Sequence, residues 1–402
     1  MKKAKFKIIS CIFALMCTTA SAQKQGTLYP APEPENIYKH YTGTIGDKKI
    51  VLDLMYGYNG GSNFRGSRYY TPGKEGVTTF SMNGPSMADR HAMAVATEFT
   101  PIDQLWVKYS EIWPNGTTPH WQFHIAGNKL NGTWTSADST QRYDVHLTKD
   151  YSQSAEMDLS SLGDTILIIN KYGRNFIAHL HLLAPWPSLK DPNNKFIMDE
   201  MSRFLIGSEG LDKDQYLPDL KKAYREKLIT GNRDRIDYNS EEGEEVYAGW
   251  GWYCMYMELT PEYNDNGFLV LKKAYGDMCT YKTVKNDRSF LCLDVRNKKR
   301  LEYNDILTTD STKISELLGE TARKQYQLDA DKKLSTWFLY DQLPVTKNIA
   351  LGNEGITFLY REGEILEDKK DGKGYSQIPE LFISYKDLGD MLTKNFKKRI
   401  GM

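Results

Sequence analysis

The sequence predicts a mostly β protein whose N-terminal part is an antiparallel meander or small barrel and whose C-terminal part is a mixed α+β sheet domain. Three observations carry that prediction. Between residues 41 and 147, short apolar and aromatic runs recur with Gly, Asn, Pro and Asp between them, the punctuation of an antiparallel meander. After Ala155, such runs alternate with stretches whose apolar residues fall at helical spacing. The 402 residues include 31 Gly, 26 Tyr and 8 Trp and are 40% hydrophobic, which supplies apolar mass for two cores and glycine for many turns.

Residues 1–22 have the three parts of a secretory signal. Lys2, Lys3, Lys5 and Lys7 precede an apolar stretch from Ile9 to Met16, and Ala20-Ser21-Ala22 precedes Gln23. The apolar stretch is too short to span a bilayer and no later run reaches about 18 apolar residues, so no transmembrane segment is expected. The address is then a bacterial periplasm or the extracellular side. Ala14-Leu15-Met16 before Cys17 lacks the small residue expected next to a lipidated cysteine, which argues against a lipoprotein. Basic and acidic side chains balance at 52 each, and loss of the four leader lysines tips the chain slightly acidic. With no basic stripe, no nucleic-acid partner is expected. Residues 23–36, marked by Pro30, Pro32 and Pro34, read as an extended, flexible leader.

The first domain, 37–150, is read as barrel-like and all-β. Its strands fall at Tyr41 to Gly46, Ile50 to Leu54, Phe64 to Tyr70, Val77 to Met82, Ala92 to Phe99, Leu105 to Tyr109, His120 to Ile125, Lys129 to Trp134 and Tyr143 to Leu147. Closure of these strands on themselves would remove unpaired edges. The glycines of Tyr41-x-Gly43-x-Ile45-Gly46 and Leu130-x-Gly132-Thr133-Trp134 suit tight turns or close backbone approach. Trp134 either caps one end of the core or stacks on a ligand.

The second domain, 155–402, opens with an apolar run at Thr165 to Ile169 and a strand at Phe176 to Leu183, which Ala184-Pro185-Trp186-Pro187 is expected to stop. Phe196, Ile197, Met201, Phe204 and Leu205 predict a helix over 195–206, and Leu217, Leu220, Tyr224 and Leu228 a second. The acidic run Glu241-Glu242-Gly243-Glu244-Glu245 is a solvated loop. Strands return at Val246 to Leu259, Gly267 to Ala274 and Ser289 to Val295, with a hairpin around Lys285-Asn286-Asp287. Asp310-Ser311-Thr312 can cap a helix carrying Ile314, Leu317 and Leu318. Near the C-terminus, Ile356, Phe358 and Tyr360 alternate in a half-buried strand, and Pro379 suits an edge strand or a strand start. Ser384 with Asp387 can cap a helix whose apolar face is Leu388, Met391 and Leu392. The mature chain keeps Cys254, Cys279 and Cys292. Cys279 and Cys292 flank the hairpin and are the candidate disulfide; the other reading is three small buried hydrophobes.

The order Asn353-Glu354-Gly355-Ile356-Thr357-Phe358-Leu359-Tyr360, Glu364-Ile365, Gly374, Gln377-Ile378-Pro379 and Asp387-Leu388 resembles the C-terminal, non-catalytic domain shared by RsiV-type lysozyme-sensing anti-sigma factors and some cell-wall polysaccharide deacetylases. The resemblance extends backward over Asn193-Asn194 and the stretch Gly267 to Leu307. Where relatives carry paired glycines, alanine and histidine after the aromatic residue matching Tyr275, this chain reads Gly276-Asp277-Met278-Cys279. The two glycine motifs of the first domain are similar to a small all-β module of exported bacterial proteins. The resemblance implies recognition of an envelope glycan or a lysozyme-like protein and brings no catalytic motif; no cofactor is expected.

Chemistry is sparse in the sequence. His120 and His124 on one strand stand about 13 Å apart, too far for one metal ion. His179 and His181, about 7 Å apart, would need a third ligand from another strand. No His-Glu-x-x-His, Gly-x-Ser-x-Gly or Ser-x-x-Lys site presents itself, so no catalytic residue and no metal ligand is assigned. Binding by aromatic residues near turns is the stronger class. The candidates are Tyr58, Phe64, Tyr69, Tyr70 and Trp113 in the first domain, with Trp106 behind them, and Trp186 in the second, with Trp250 and Trp252. The function expected is an exported, non-enzymatic binding or sensing protein of the cell envelope, its ligand peptidoglycan, another glycan or a lysozyme-like protein. The alternative is a metal- or carboxylate-dependent hydrolase of envelope polysaccharide, which would need acidic or histidine residues from separate strands to meet in one cleft.

Overall fold

The computed structural model describes residues 37–56, 58–59, 62–63, 67–74, 78–81, 106–111, 119–169, 175–188, 194–207, 218–219, 222, 226, 252–279, 282–308, 311–329, 331–366 and 379–402. The leader, the strand expected at 92–99, most of the second helix expected after 217 and the acidic loop lie outside them.

In the first part of the chain, β1 (Ile37–Ile45), β2 (Lys48–Tyr56), β5 (Arg68–Tyr70), β6 (Thr78–Ser81), β7 (Trp106–Glu111), β8 (His120–Ala126), β9 (Lys129–Thr135) and β10 (Arg142–Lys149) pair antiparallel in sequence order. β10 returns to β1, with Tyr41 opposite Lys149 and Ile45 opposite Val145, so the ring of pairings closes. A two-residue pair, β3 (Tyr58–Asn59) and β4 (Ser62–Asn63), stands apart from it. Alternation fills the interior: Trp121, Phe123 and Ile125 of β8, Leu130 of β9, and Val145 and Leu147 of β10 are all buried. Between them Gln122, Asn131, Asp144 and His146 face outward. Two strands approach too closely here for a side chain. A Cβ on Gly43 would stand 2.1 Å from the His146 carbonyl oxygen, and one on Gly132 2.2 Å from that of Gln122. Both motif glycines therefore mark close strand approaches of the barrel wall. Trp134 stacks on Tyr143, ring centres 5.7 Å apart, at one end of the interior.

β2 departs from alternation. Ile50 through Met55 are buried without interruption, because the inner face lines the barrel while Val51, Asp53 and Met55 face the rest of the molecule. A strand covered on both sides reads as a continuous apolar run, and Asp53 is its single polar member.

The next sheet has the order β11 (Met157–Ile169), β12 (Asn175–Pro187), β13 (Trp252–Asp265), β14 (Phe268–Cys279), β15 (Lys282–Asp294) and β16 (Lys299–Arg300). All pairings are antiparallel except β12 with β13. Leu269 and Leu271 of β14 point to one face, where α1 (Asn194–Ile206) inserts Ile197 and Met201 among Trp186, Met257, Leu259, Leu291 and Leu293. Phe268 and Val270 point to the other face. There they meet Ile314, Leu318 and Ala322 of α3 (Ser311–Gln325), which follows the single-turn helix α2 (Tyr303–Ile306). The same core takes in a three-stranded sheet, β17 (Ile349–Leu351), β18 (Gly355–Leu359) and β19 (Glu380–Ser384). Full burial of each such side chain contributes about 1.5–3 kcal/mol. Tyr38 and Met55 of the barrel belong to the first of these cores, Val51 and Tyr70 to the second.

Several sequence expectations are corrected. Ala184-Pro185-Trp186-Pro187 does not stop β12, which runs through Pro187. The pairing with β13 ends at Leu183, and the Ser188 N–H donates to the Glu156 carbonyl at 2.8 Å. By alternation the positions of Pro185 and Pro187 turn toward the side that β13 has left, where a missing N–H breaks no ladder. The hairpin turn lies between Cys279 and Lys282. Asn286 and Asp287 are mid-strand, opposite Gly276 and Tyr275, with a bulge between Asp277 and Met278. A strand can hold Gly276 because the Tyr256 ring lies over it, 2.1 Å from where a Cβ would be. The disulfide is likewise not made. Cys292 sits opposite Val270 and Cys279 opposite Lys282, nine residues along the strand and about 30 Å from bridging distance. Cys292 is a buried free thiol whose Sγ donates to the Ile349 carbonyl at 3.3 Å. Finally, Ser384 caps its helix as expected, accepting from the Asp387 N–H, but α4 (Tyr385–Leu388) lasts one turn. Gly389 at φ 44° breaks it, and Thr393 caps a new helix, α5 (Lys394–Ile400).

Candidate functional site

The aromatic residues nominated by the sequence divide once the fold is in view. Trp186 and Tyr70 are buried at 3% exposure each, and so are core residues rather than ligand contacts. The Tyr70 hydroxyl donates to Asp265 Oδ2 at 2.7 Å, which is why a tyrosine is tolerated there. Tyr69 is half-buried, its ring edge-on to Trp121 at 5.3 Å. Tyr58 lies in the short β3 strand, its side chain outside the described residues, and Phe64 and Trp113 lie outside them altogether.

The structure instead exposes aromatic surface at a place the sequence reading passed over. Among the described residues, Trp337, Leu339 and Tyr340 are 57%, 41% and 46% exposed within one four-residue stretch. This segment is tied down by hydrogen bonds and by two buried side chains. Leu334–Thr336 forms a 3₁₀ turn, and Trp337 and Phe338 N–H both donate to the Leu334 carbonyl at 2.9 Å. The Ser335 N–H donates to Asp341 Oδ1 at 3.0 Å, and the Leu339 N–H to the Ile365 carbonyl at 2.9 Å. Leu334 and Phe338 anchor the loop in the core, Phe338 edge-on to Tyr326 at 5.5 Å. The i, i+4 pair Leu334 and Phe338 points inward, so Trp337, Leu339 and Tyr340 have no inward place left. The signal available in the sequence was density, Trp337-Phe338-Leu339-Tyr340 being more apolar than one buried face of a short turn can absorb.

The chemically richest cluster is sealed. His40 Nδ1 lies 2.8 Å from Asp53 Oδ1, which also accepts from the Tyr38 hydroxyl at 2.6 Å. The Asn264 amide donates to Tyr38 at 2.9 Å, and its oxygen accepts from the Ala155 N–H at 2.8 Å. Beside them Arg68 pairs with Glu262, and Lys272 Nζ reaches Glu262 Oε1 at 2.6 Å. Burial acts to raise the Glu262 carboxyl, but Arg68 and Lys272 outweigh it and hold it down at about 2. Burial acts to lower His40, and the bond to Asp53 outweighs it, leaving His40 raised. Asp53 Oδ2 and Arg68 Nε are buried with no hydrogen-bond partner among the described residues. A histidine–carboxylate pair is what a hydrolase would use, yet His40 and Asp53 are each 1% exposed, so no substrate reaches them. The cluster ties the barrel to β13 by polar bonds. Among the described residues no group of three or more His, Cys, Asp or Glu is placed to hold a metal, and no helix is long and apolar enough to cross a membrane.

No family model and no curated protein matches the chain. Among solved structures it is similar to a DUF3298 family member from Bacteroides fragilis, at 17% identity and a TM-score of 0.49, covering 62% of this chain and 98% of that one. It is also similar to a DUF3298 family protein from Pseudomonas aeruginosa, at 18% identity and a TM-score of 0.36, covering 60% and 97%.

Proposed function

We propose that this is an exported, non-enzymatic recognition protein of the bacterial cell envelope, and that the loop 334–341 is its contact surface. The observation that carries the reading is the exposure of Trp337, Leu339 and Tyr340 on a backbone pinned at both ends. Large aromatic side chains on a rigid loop bind at small entropic cost, because little ordering remains to be done on association. Leu339 beside the two rings favours a protein surface over a sugar face alone, since an aliphatic side chain adds apolar area but cannot stack. The secretory signal in residues 1–22 supports the envelope address.

Calorimetric titration of the signal-free protein with lysozyme and with soluble peptidoglycan fragments tests this. Saturable binding to one of them, weakened at least about tenfold by Trp337→Ala with Tyr340→Ala, is expected, two such anchors being worth more than about 1.4 kcal/mol together. Binding that the double variant leaves intact would remove the loop from the interface, and absence of heat with both ligands would remove the proposed partners.

A further inference from the structure

The outer face of the barrel carries an open concavity of about 470 Å³ over β8, β9 and β10, lined by Gln122, His124, Asn131, Thr133, Arg142 and His146 and floored by the backbone at Gly132. We propose that it is a binding subsite for a neutral oligosaccharide. This goes beyond the contact surface assigned to loop 334–341 and does not depend on it.

Register assembles the lining. His124 stands opposite Asn131 and Asn131 opposite His146, so an imidazole, a carboxamide and an imidazole lie in one row across three strands. Gln122 and Thr133 form the next row. Each lining side chain carries a hydrogen-bonding group, while carbon atoms make up most of the exposed lining, so polar tips and apolar area are both offered to a ligand. The hydrogen-bonding character is mixed. His146 Nδ1 lies 3.0 Å from Asn131 Oδ1, so the imidazole donates there, while the Asn131 amide hydrogens remain donors. Gln122 and Thr133 offer both kinds, and Arg142 donates.

That mixture selects the ligand. A phosphate or carboxylate wants donors alone, and Asp144, between Arg142 and His146 on the same outward face of β10, offsets the one permanent cation. A metal ion would want a third ligand beside the two imidazoles, and no group of three exists among the described residues. Sugar hydroxyls each donate and accept, and so use both sets. The concavity is open to solvent on a sheet face, so a sugar unit held there can belong to a longer chain that continues into solvent.

The test is titration of the signal-free protein, followed by calorimetry and by amide chemical shifts, with oligomers of N-acetylglucosamine, of β-1,4-glucose and of α-1,4-glucose. At least one is expected to saturate, shifting the amides of residues 122–133 and 142–146. Gln122→Ala with Asn131→Ala, both at exposed positions, should weaken it at least about tenfold while leaving the unfolding midpoint unchanged. Trp337→Ala with Tyr340→Ala should leave it unchanged, which separates this subsite from the loop. The proposal is overturned by no saturation with any of the three oligomers, by binding that survives the groove variant, or by saturation with zinc or inorganic phosphate alone.

Discussion

Glu262 is the residue on which the buried charges depend. Arg68 is 7% exposed and Lys272 lies on the same carboxylate, so Glu262→Gln leaves a buried guanidinium without its counter-charge. The expected loss is about 3–5 kcal/mol by urea unfolding, and the further change Arg68→Met should recover part of it, because pairwise removal takes away the cost of the orphaned charge. A double variant no more stable than Glu262→Gln would show that the pair is not the unit. Cys292 gives a second prediction at this scale. Burial pushes its thiol up to about 12, so it should resist alkylation in the native protein and react after unfolding, with no mass change on reduction that would report a bridge to Cys279. Neither property was legible from residue type. Three cysteines in a disulfide-permissive compartment fit a bridge and fit three hydrophobes equally, and the register of β14 against β15 alone separates them.

Elements were read well where periodicity is strong and poorly where a strand outruns its pattern. The strands of β8 to β10, the α1 helix and the Ser384 cap all follow from local sequence, because each turns one apolar face to a core or supplies one side-chain oxygen to one backbone N–H. The ends of β12 and β14 do not, since prolines and a glycine that normally end strands are accommodated by a vacated edge in one case and a covering tyrosine ring in the other. The barrel glycines make this testable. Alanine at Gly132 or Gly43 places a methyl against the backbone of the adjoining strand, which cannot yield as a side-chain tip can. Each substitution should destabilise by at least about 1–3 kcal/mol in thermal or urea unfolding, whereas alanine at Gly127, a turn position with open space around it but φ 58°, should lose less, about 1 kcal/mol. Equal effects at Gly132 and Gly127 would contradict the close approach.

At the scale of the whole molecule, the junction network sets the pH range of stability. His40 is raised in the folded state, so its contribution is fully present below the unfolded value of 6.5 and is lost as pH rises through the higher folded value. Glu262 is lowered to about 2, so its contribution is fully present above 4.5 and is lost as pH falls toward 2. Stability should therefore peak between about pH 5 and 6, and His40→Gln should flatten the alkaline limb while leaving the acid limb in place. Unfolding midpoints measured from pH 3 to 9 decide this, and an alkaline limb unchanged in the variant would assign that slope elsewhere. By itself, the sequence determined that the protein is sheet-rich and that an antiparallel β part precedes a mixed α+β part, because composition and local periodicity are written residue by residue. Which aromatic rings face solvent, which polar residues are walled in and which cysteine meets which strand were decided by tertiary structure alone. Those properties depend on what covers the second face of each strand, and the covering elements lie as far away in sequence as Asp53 from Asn264 and Val51 from Ile314.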